Sequence, residues 1–172
     1  EGENPQVIDG AEEFEFKDVL FYNQSLDPAI QLYGNIKVNG EAEFNRGIVN
    51  NRDFEGKFLF TDLATQISTW NGSFVDGAVE KLGNKNFVYP VGNKQLYRFC
   101  AMSAPTESNS KFEATYFLTN SDPIFSHSNK DESIEVIDNT EYWTVYKQQG
   151  ESNIILTLSY SDSQGKAWVE HN

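Results

Sequence analysis

The side chains that could do chemistry in this sequence are few and scattered. Two acidic pairs, Glu12-Glu13 and Asp131-Glu132, could serve a glycosidase if they faced each other across a cleft, because cleavage of a glycosidic bond uses two carboxylates. Adjacent acidic residues are common on surfaces, and nothing in their spacing makes these pairs converge. Asp122, Asn129, Asp131 and Glu132 gather oxygen ligands in one polar loop, which is calcium chemistry, but without the fixed spacing of a calcium-binding loop. His127 lies in the polar run SHSNKDES and His171 in the tail; neither has a partner at metal-ligand or triad spacing, so both are expected in solvent. Cys100 is the sole cysteine. It rules out an internal disulfide or a cysteine-based zinc site, and with no histidine near it in sequence it reads as a small buried hydrophobe. No catalytic, cofactor-binding or metal residue is therefore assigned, and calcium remains the one cofactor to test.

Three tryptophans, Trp70, Trp143 and Trp168, offer a different chemistry. Exposed aromatic rings stack on sugars in carbohydrate-binding modules, whereas core packing is the expected role here. Tyr142 and Trp143 are neighbours in a strand-like run, so one of them must face away from the inner side. Asn23-Gln24-Ser25 and Asn71-Gly72-Ser73 match the N-glycosylation sequon, a short signal of no consequence in most bacteria.

The chain that must position these residues has 172 residues, with 13 Phe, 8 Tyr and 3 Trp to build a core. Its 26 acidic and 13 basic residues give a net charge of −13, which argues against nucleic acid as a partner and fits a solvated surface. No signal peptide or membrane-spanning run is seen; starting at Glu1 and ending at Asn172, the sequence reads as a mature product or a fragment.

Residues 71–102 join two halves of different character. They hold three short apolar runs separated by Asn71-Gly72, Asp76-Gly77, Leu82-Gly83-Asn84 and Gly92-Asn93, which suit tight turns. Pro90 interrupts the alternation of Phe87, Tyr89 and Val91 and is expected at an edge or bulge. Before this stretch come short apolar pairs such as Ile30/Leu32, Ile36/Val38, Ala42/Phe44 and Phe58/Phe60, broken by frequent Gly and Asn. Such spacing suits a β-solenoid, in which each coil buries its inward residues on its neighbours; a meander fits the same pattern, and no strict repeat separates the two. Residues 63–70 read as one more strand.

After residue 86 the pattern is more regular. KFEATYFLT alternates Phe112, Ala114, Tyr116 and Leu118 with mostly polar residues. A polar loop over 120–131 follows, then runs around Ile134 to Ile137, 141–147, 154–160 and 167–169. Strands at this spacing predict an antiparallel β-sandwich of immunoglobulin-like kind, and no segment has a sustained helical period.

The succession GSFVDGAVEKLGNKNFVYPVGN, LYRFCAMSA, FEATYF, EYWTVYK and NIILTLSYS resembles a module of large type IX-secreted surface proteins of Bacteroidetes, some associated with gliding motility and adhesion. Val75, Asp76 and Gly77, then Phe87, Pro90, Val91 and Gly92, then Tyr97 and Arg98, Ala114 and Tyr116, and Tyr142 and Trp143 carry the likeness over about two-thirds of the chain. Tyr89 stands where that family more often has Phe, and Phe99 where it often has Pro. The resemblance implies architectural roles for these residues and no catalytic one.

The expectation is an all-β chain, with a solenoid-like or meandering part over 1–85 and an antiparallel sandwich over 86–172. Its expected role is a non-enzymatic structural or adhesive module, a rigid spacer or tip at the cell surface, whose partners are neighbouring domains, other surface proteins or glycans. A carbohydrate-binding module is the alternative and a polysaccharide-acting enzyme the third reading.

Overall fold

The computed structural model describes residues 2–25 and 28–160, and among these it is all-β apart from one 3₁₀ turn at His127–Asn129. The first half winds as a β-solenoid of about three turns. β1 (Gln6–Ile8), β2 (Phe14–Phe16) and β3 (Val19–Tyr22) make the first coil; β4 (Ile30–Leu32), β5 (Ile36–Val38) and β6 (Glu41–Arg46) the second; β7 (Val49–Asn50), β8 (Phe58–Phe60) and β9 (Thr65–Ile67) the third. Coils stack by parallel pairing, so each face is a ladder: β1, β4 and β7 on one, β2, β5 and β8 on the next, β3, β6 and β9 on the third.

The repeat hidden in the sequence is real but uneven. On the second face Phe14, Ile36 and Phe58 stand opposite one another at steps of 22 residues. On the first face the corresponding steps, Ile30 to Val49 to Val75 to Val91, are 19, 26 and 16 residues. Corner loops absorb the difference, because only inward positions are held in register by burial.

Those inward positions form one column of apolar side chains. Ile36, Val38, Phe44, Phe58 and Phe60 are fully buried, and rings meet at 5.1 Å (Phe21 with Phe44, Phe58 with Phe60) and 4.9 Å (Phe60 with Phe87). Each such ring pair adds about 0.5–1.5 kcal/mol beyond the area it buries. Corners are tied by side chains from successive coils: Asn39 Nδ2 donates to Glu15 Oε1 at 2.6 Å, and Thr61 Oγ1 donates to Asn39 Oδ1 at 3.0 Å. Gly40 is required beside this corner, since a Cβ there would fall on Asp18 Oδ1 and 2.6 Å from the Lys17 carbonyl oxygen.

The fourth passage, β10 (Val75–Asp76), β11 (Val79–Leu82) and β12 (Phe87–Tyr89), ends the winding. β10 and β11 still pair in parallel with the coil below, and β13 (Val91–Asn93) still pairs in parallel with β10. Lys94, at φ +59°, then turns the chain back into β14 (Leu96–Tyr97), antiparallel to β13. Every later strand is antiparallel to its neighbours. β15 (Cys100–Met102) lies on β12 and β18 (Leu156–Leu158) on β15; β16 (Lys111–Phe117) lies on β11 and β17 (Tyr142–Gln149) on β16. The antiparallel strands expected after residue 86 are thus present; β14 and β16–β17 extend two of the solenoid's sheets, β11 having β8 on one side and β16 on the other, while β12, β15 and β18 form a sheet of their own.

Several local expectations resolve differently. Pro90 sits at the corner between β12 and β13, where a missing N–H costs no ladder bond and its carbonyl accepts from Val75 N at 2.7 Å. The run at 134–137 is an irregular exposed segment, with Val136 79% exposed and no strand beside it. The run at 167–169 lies outside the described residues.

Candidate functional site

Two buried carboxylates hold the cap, Asp76 tying it to the solenoid and Glu141 binding its own strands together. Asp76, from the Asp76-Gly77 turn, accepts from Arg52 Nε at 2.6 Å, from Asn93 Nδ2 at 3.1 Å and from the Lys94 N–H at 2.8 Å. Arg52 then donates to the Tyr116 carbonyl at 2.7 Å and lies 4.8 Å above the Phe117 ring. Gly77, at φ +139°, leaves the space that Asn51 Oδ1 occupies. Glu141 accepts from Arg98 Nε at 3.3 Å and from the Tyr116 hydroxyl. Burial, and then that hydrogen bond to a carboxylate, push the Tyr116 phenol well above its ordinary value. Asp76, Gly77, Arg98 and Glu141 thus take part in the joints of the cap.

A groove of about 320 Å³ opens beside this cap, along β17. Tyr142, Trp143, Thr144, Val145 and Tyr146 form one side, and Ser121 and Phe125 from the preceding loop the other. Tyr142 faces outward and stacks on Phe117 at 4.7 Å with rings nearly parallel, while Phe125 meets it edge-on at 6.1 Å. Trp143 faces inward: its ring packs on Tyr116 at 5.2 Å and its Nε1 donates to the Arg98 carbonyl at 3.2 Å. The opposed directions of Tyr142 and Trp143 are those that strand alternation demands. Phe125 and Tyr146 are half exposed and were not singled out by sequence; only the aromatic excess of EYWTVYK pointed towards this strand.

The remaining chemical candidates do not meet. His127 shares a 2.8 Å hydrogen bond with Ser121 Oγ, and its backbone N–H donates to Asp122 Oδ1 at 2.7 Å. Asp131 Oδ1 accepts from Ser133 N at 2.9 Å and Ser133 Oγ at 2.6 Å, which lowers the pKa of its carboxyl. Among the described residues, no three His, Cys, Asp or Glu side chains form a metal-sized group. Cys100 is fully buried opposite Tyr89 and Leu158, and burial pushes its thiol up to about 12. Trp70 is half exposed, with Nε1 donating to the Asn45 carbonyl at 3.0 Å. Trp168 and His171 lie outside the described residues.

One carboxylate pair does meet, and it is neither of those the sequence suggested. Glu80 and Glu113 stand opposite each other on β11 and β16, with Lys111 Nζ 3.2 Å from Glu80 Oε2 and Gln148 Nε2 donating to Glu113 Oε2 at 2.7 Å. Burial and then the Glu80 charge raise the Glu113 pKa. The two are side by side on one sheet face, whereas glycoside cleavage needs carboxylates on opposite sides of a bound sugar.

No protein-family model, curated protein or solved structure matches this chain. The groove is lined by aromatic faces, the hydroxyls of Ser121, Tyr142, Thr144 and Tyr146, and a strand edge, with no nucleophile–base pair among its lining residues.

Proposed function

We propose that this chain is a non-enzymatic structural or adhesive module, a rigid β spacer or tip in a large secreted cell-surface protein. The observation that carries the reading is the position of β11, hydrogen-bonded in parallel to the solenoid strand β8 and antiparallel to the cap strand β16. A sheet shared by both halves leaves no hinge between them, which is what a spacer requires. The antiparallel layers β16–β17 and β12–β15–β18 act as a sandwich-like lid, meeting where the Tyr89 hydroxyl donates to the Phe112 carbonyl at 3.4 Å. At the other end the first coil is open, with Val7 and Leu20 exposed and a hollow of about 480 Å³ beside Ile8, Val19 and Phe21, which suits contact with neighbouring β structure. The motif order from the Asp76-Gly77 turn to Tyr142-Trp143 supports export by the type IX route and an extracellular, surface location.

The test is the size and location of the native polypeptide, read with antibody on surface, secreted and cytoplasmic fractions. A very large surface-bound band is expected. A soluble cytoplasmic band near 19.5 kDa overturns the reading.

A further inference from the structure

β17 is the outermost strand of its sheet and, at eight residues, the longest of the described strands. Among the described residues, no hydrogen bond reaches the backbone of 142–149 from the side away from β16. An edge of this length is normally guarded by proline, a bulge or several charges; this one has no proline, a single lysine, Lys147, and a register shift only at its far end, where Gln148 is skipped between Lys147 and Gln149, beyond Tyr142–Tyr146. The groove lies along that same edge, on five consecutive residues, Tyr142 to Tyr146.

The charge around it is mostly negative. From residue 113 to 151 the chain carries eight carboxylates against two lysines. Asp122 follows Ser121 of the groove wall, Glu113 stands opposite Tyr146, and Asp138 organises the turn leading into β17 through Thr140 and Glu141 N–H groups. Of the local cations, Arg52 is paired with Asp76 and Lys130 donates to the Ile134 carbonyl.

We propose that β17 is a docking edge for an extended, basic segment of a partner polypeptide, added to the sheet as a further strand. Main-chain hydrogen bonds to Tyr142–Gln149 supply the pairing, an apolar or aromatic side chain of the partner enters the groove between Phe125 and Tyr146, and its lysines or arginines face the acidic rim. Five residues of extended chain, about 17 Å, span the groove. A second copy of this protein is disfavoured because it brings the same carboxylates to the contact. A glycan would use the rings but not the unpaired amides. The inference goes beyond the spacer reading and does not depend on where the protein resides.

The experiment is amide hydrogen exchange on the whole chain with a ten-residue peptide alternating lysine with valine and tyrosine, and with its counterpart carrying glutamate for lysine. The lysine peptide is expected to slow exchange within 142–149, the glutamate peptide is not, and added salt is expected to weaken the effect. Tyr146→Lys, at a half-exposed position, should leave melting and circular dichroism unchanged while weakening peptide binding roughly tenfold or more. Slow exchange in the free protein at those amides of 142–149 that point away from β16, equal protection by both peptides, or none by either overturns the proposal. So does an oligosaccharide that binds in a Tyr146-dependent way when the lysine peptide does not, or a dimer that Tyr146→Lys dissolves.

Discussion

The Nζ of Lys81 stands 5.0 Å from the centre of the Phe87 ring, inside the apolar column of the solenoid. Lys81 occupies the inward level of Phe60 below it and Phe112 above it, and is fully buried. Its ammonium donates to the carbonyls of Thr61, Asp62 (2.8 Å) and Ala64 (3.1 Å), closing a corner whose C=O groups have turned inward. Burial pushes its pKa down to about 8 from 10.5, against a smaller opposing pull from Asp62.

That depressed value fixes a pH dependence. Between about 8 and 10.5 the unfolded lysine holds a proton that the folded one has released, so this residue's contribution to stability rises with pH. The slope is at most about 1.4 kcal/mol per pH unit. Cys100 acts oppositely from its ordinary 9.0 to about 12, so the quantity to measure is the urea-unfolding difference between wild type and Lys81→Met across pH 7–10.5. The Lys81→Met protein is expected to lack the rise and, at pH 7, to lose about 1–3 kcal/mol because three carbonyls are left without a donor.

The turn at Asp76 and Gly77 should tolerate little change. At φ +139° a side chain is strained, and an added Cβ would meet Asn51 Oδ1 and come 2.8 Å from Arg52 N. Gly77→Ala is expected to cost about 2–4 kcal/mol. Asp76→Ala, which strands the partly buried Arg52 guanidinium, should cost about 3–5 kcal/mol. Denaturant unfolding reads both.

Glu141 should couple energetically to Tyr116 across the cap. Glu141→Gln removes the charge that Arg98 and the Tyr116 hydroxyl share, and is expected to destabilise by about 2–3 kcal/mol. A double-mutant cycle with Tyr116→Phe should show clear non-additivity. Ultraviolet titration supplies an independent check: the Tyr116 phenol should ionise at lower pH in Glu141→Gln than in the wild type, since one cause of its raised pKa is gone.

Cys100 should be inert in the native state. Packed opposite Tyr89 and Leu158, with its thiol pushed up to about 12, it offers almost no thiolate at neutral pH. Iodoacetamide at pH 7.5 is expected to leave it unlabelled until denaturant is added, as read by mass spectrometry.

Residue types and local spacing by themselves determined the all-β class, short turn-punctuated strands that suit a solenoid or a meander, the turn at Asp76-Gly77, the alternation of 111–119 and the burial of Cys100. These follow from pattern because alternation, positive φ and apolar burial act over a few residues. The turn expected at Gly92-Asn93 falls instead at Lys94, because Val91–Asn93 is strand β13. The coil register stayed hidden because corner loops of unequal length blur the 22-residue step seen on one face. Only the tertiary structure decided that Lys81 lies in the core, since a lysine reads as solvent-facing until the carbonyls of 61–64 converge on it. Tertiary structure likewise placed β16 and β17 on the solenoid's own sheet and brought Ser121 and Phe125 to β17. Those pairings depend on which edge is left open when the winding reverses at Lys94, and an edge exists only once the coils beneath it have stacked.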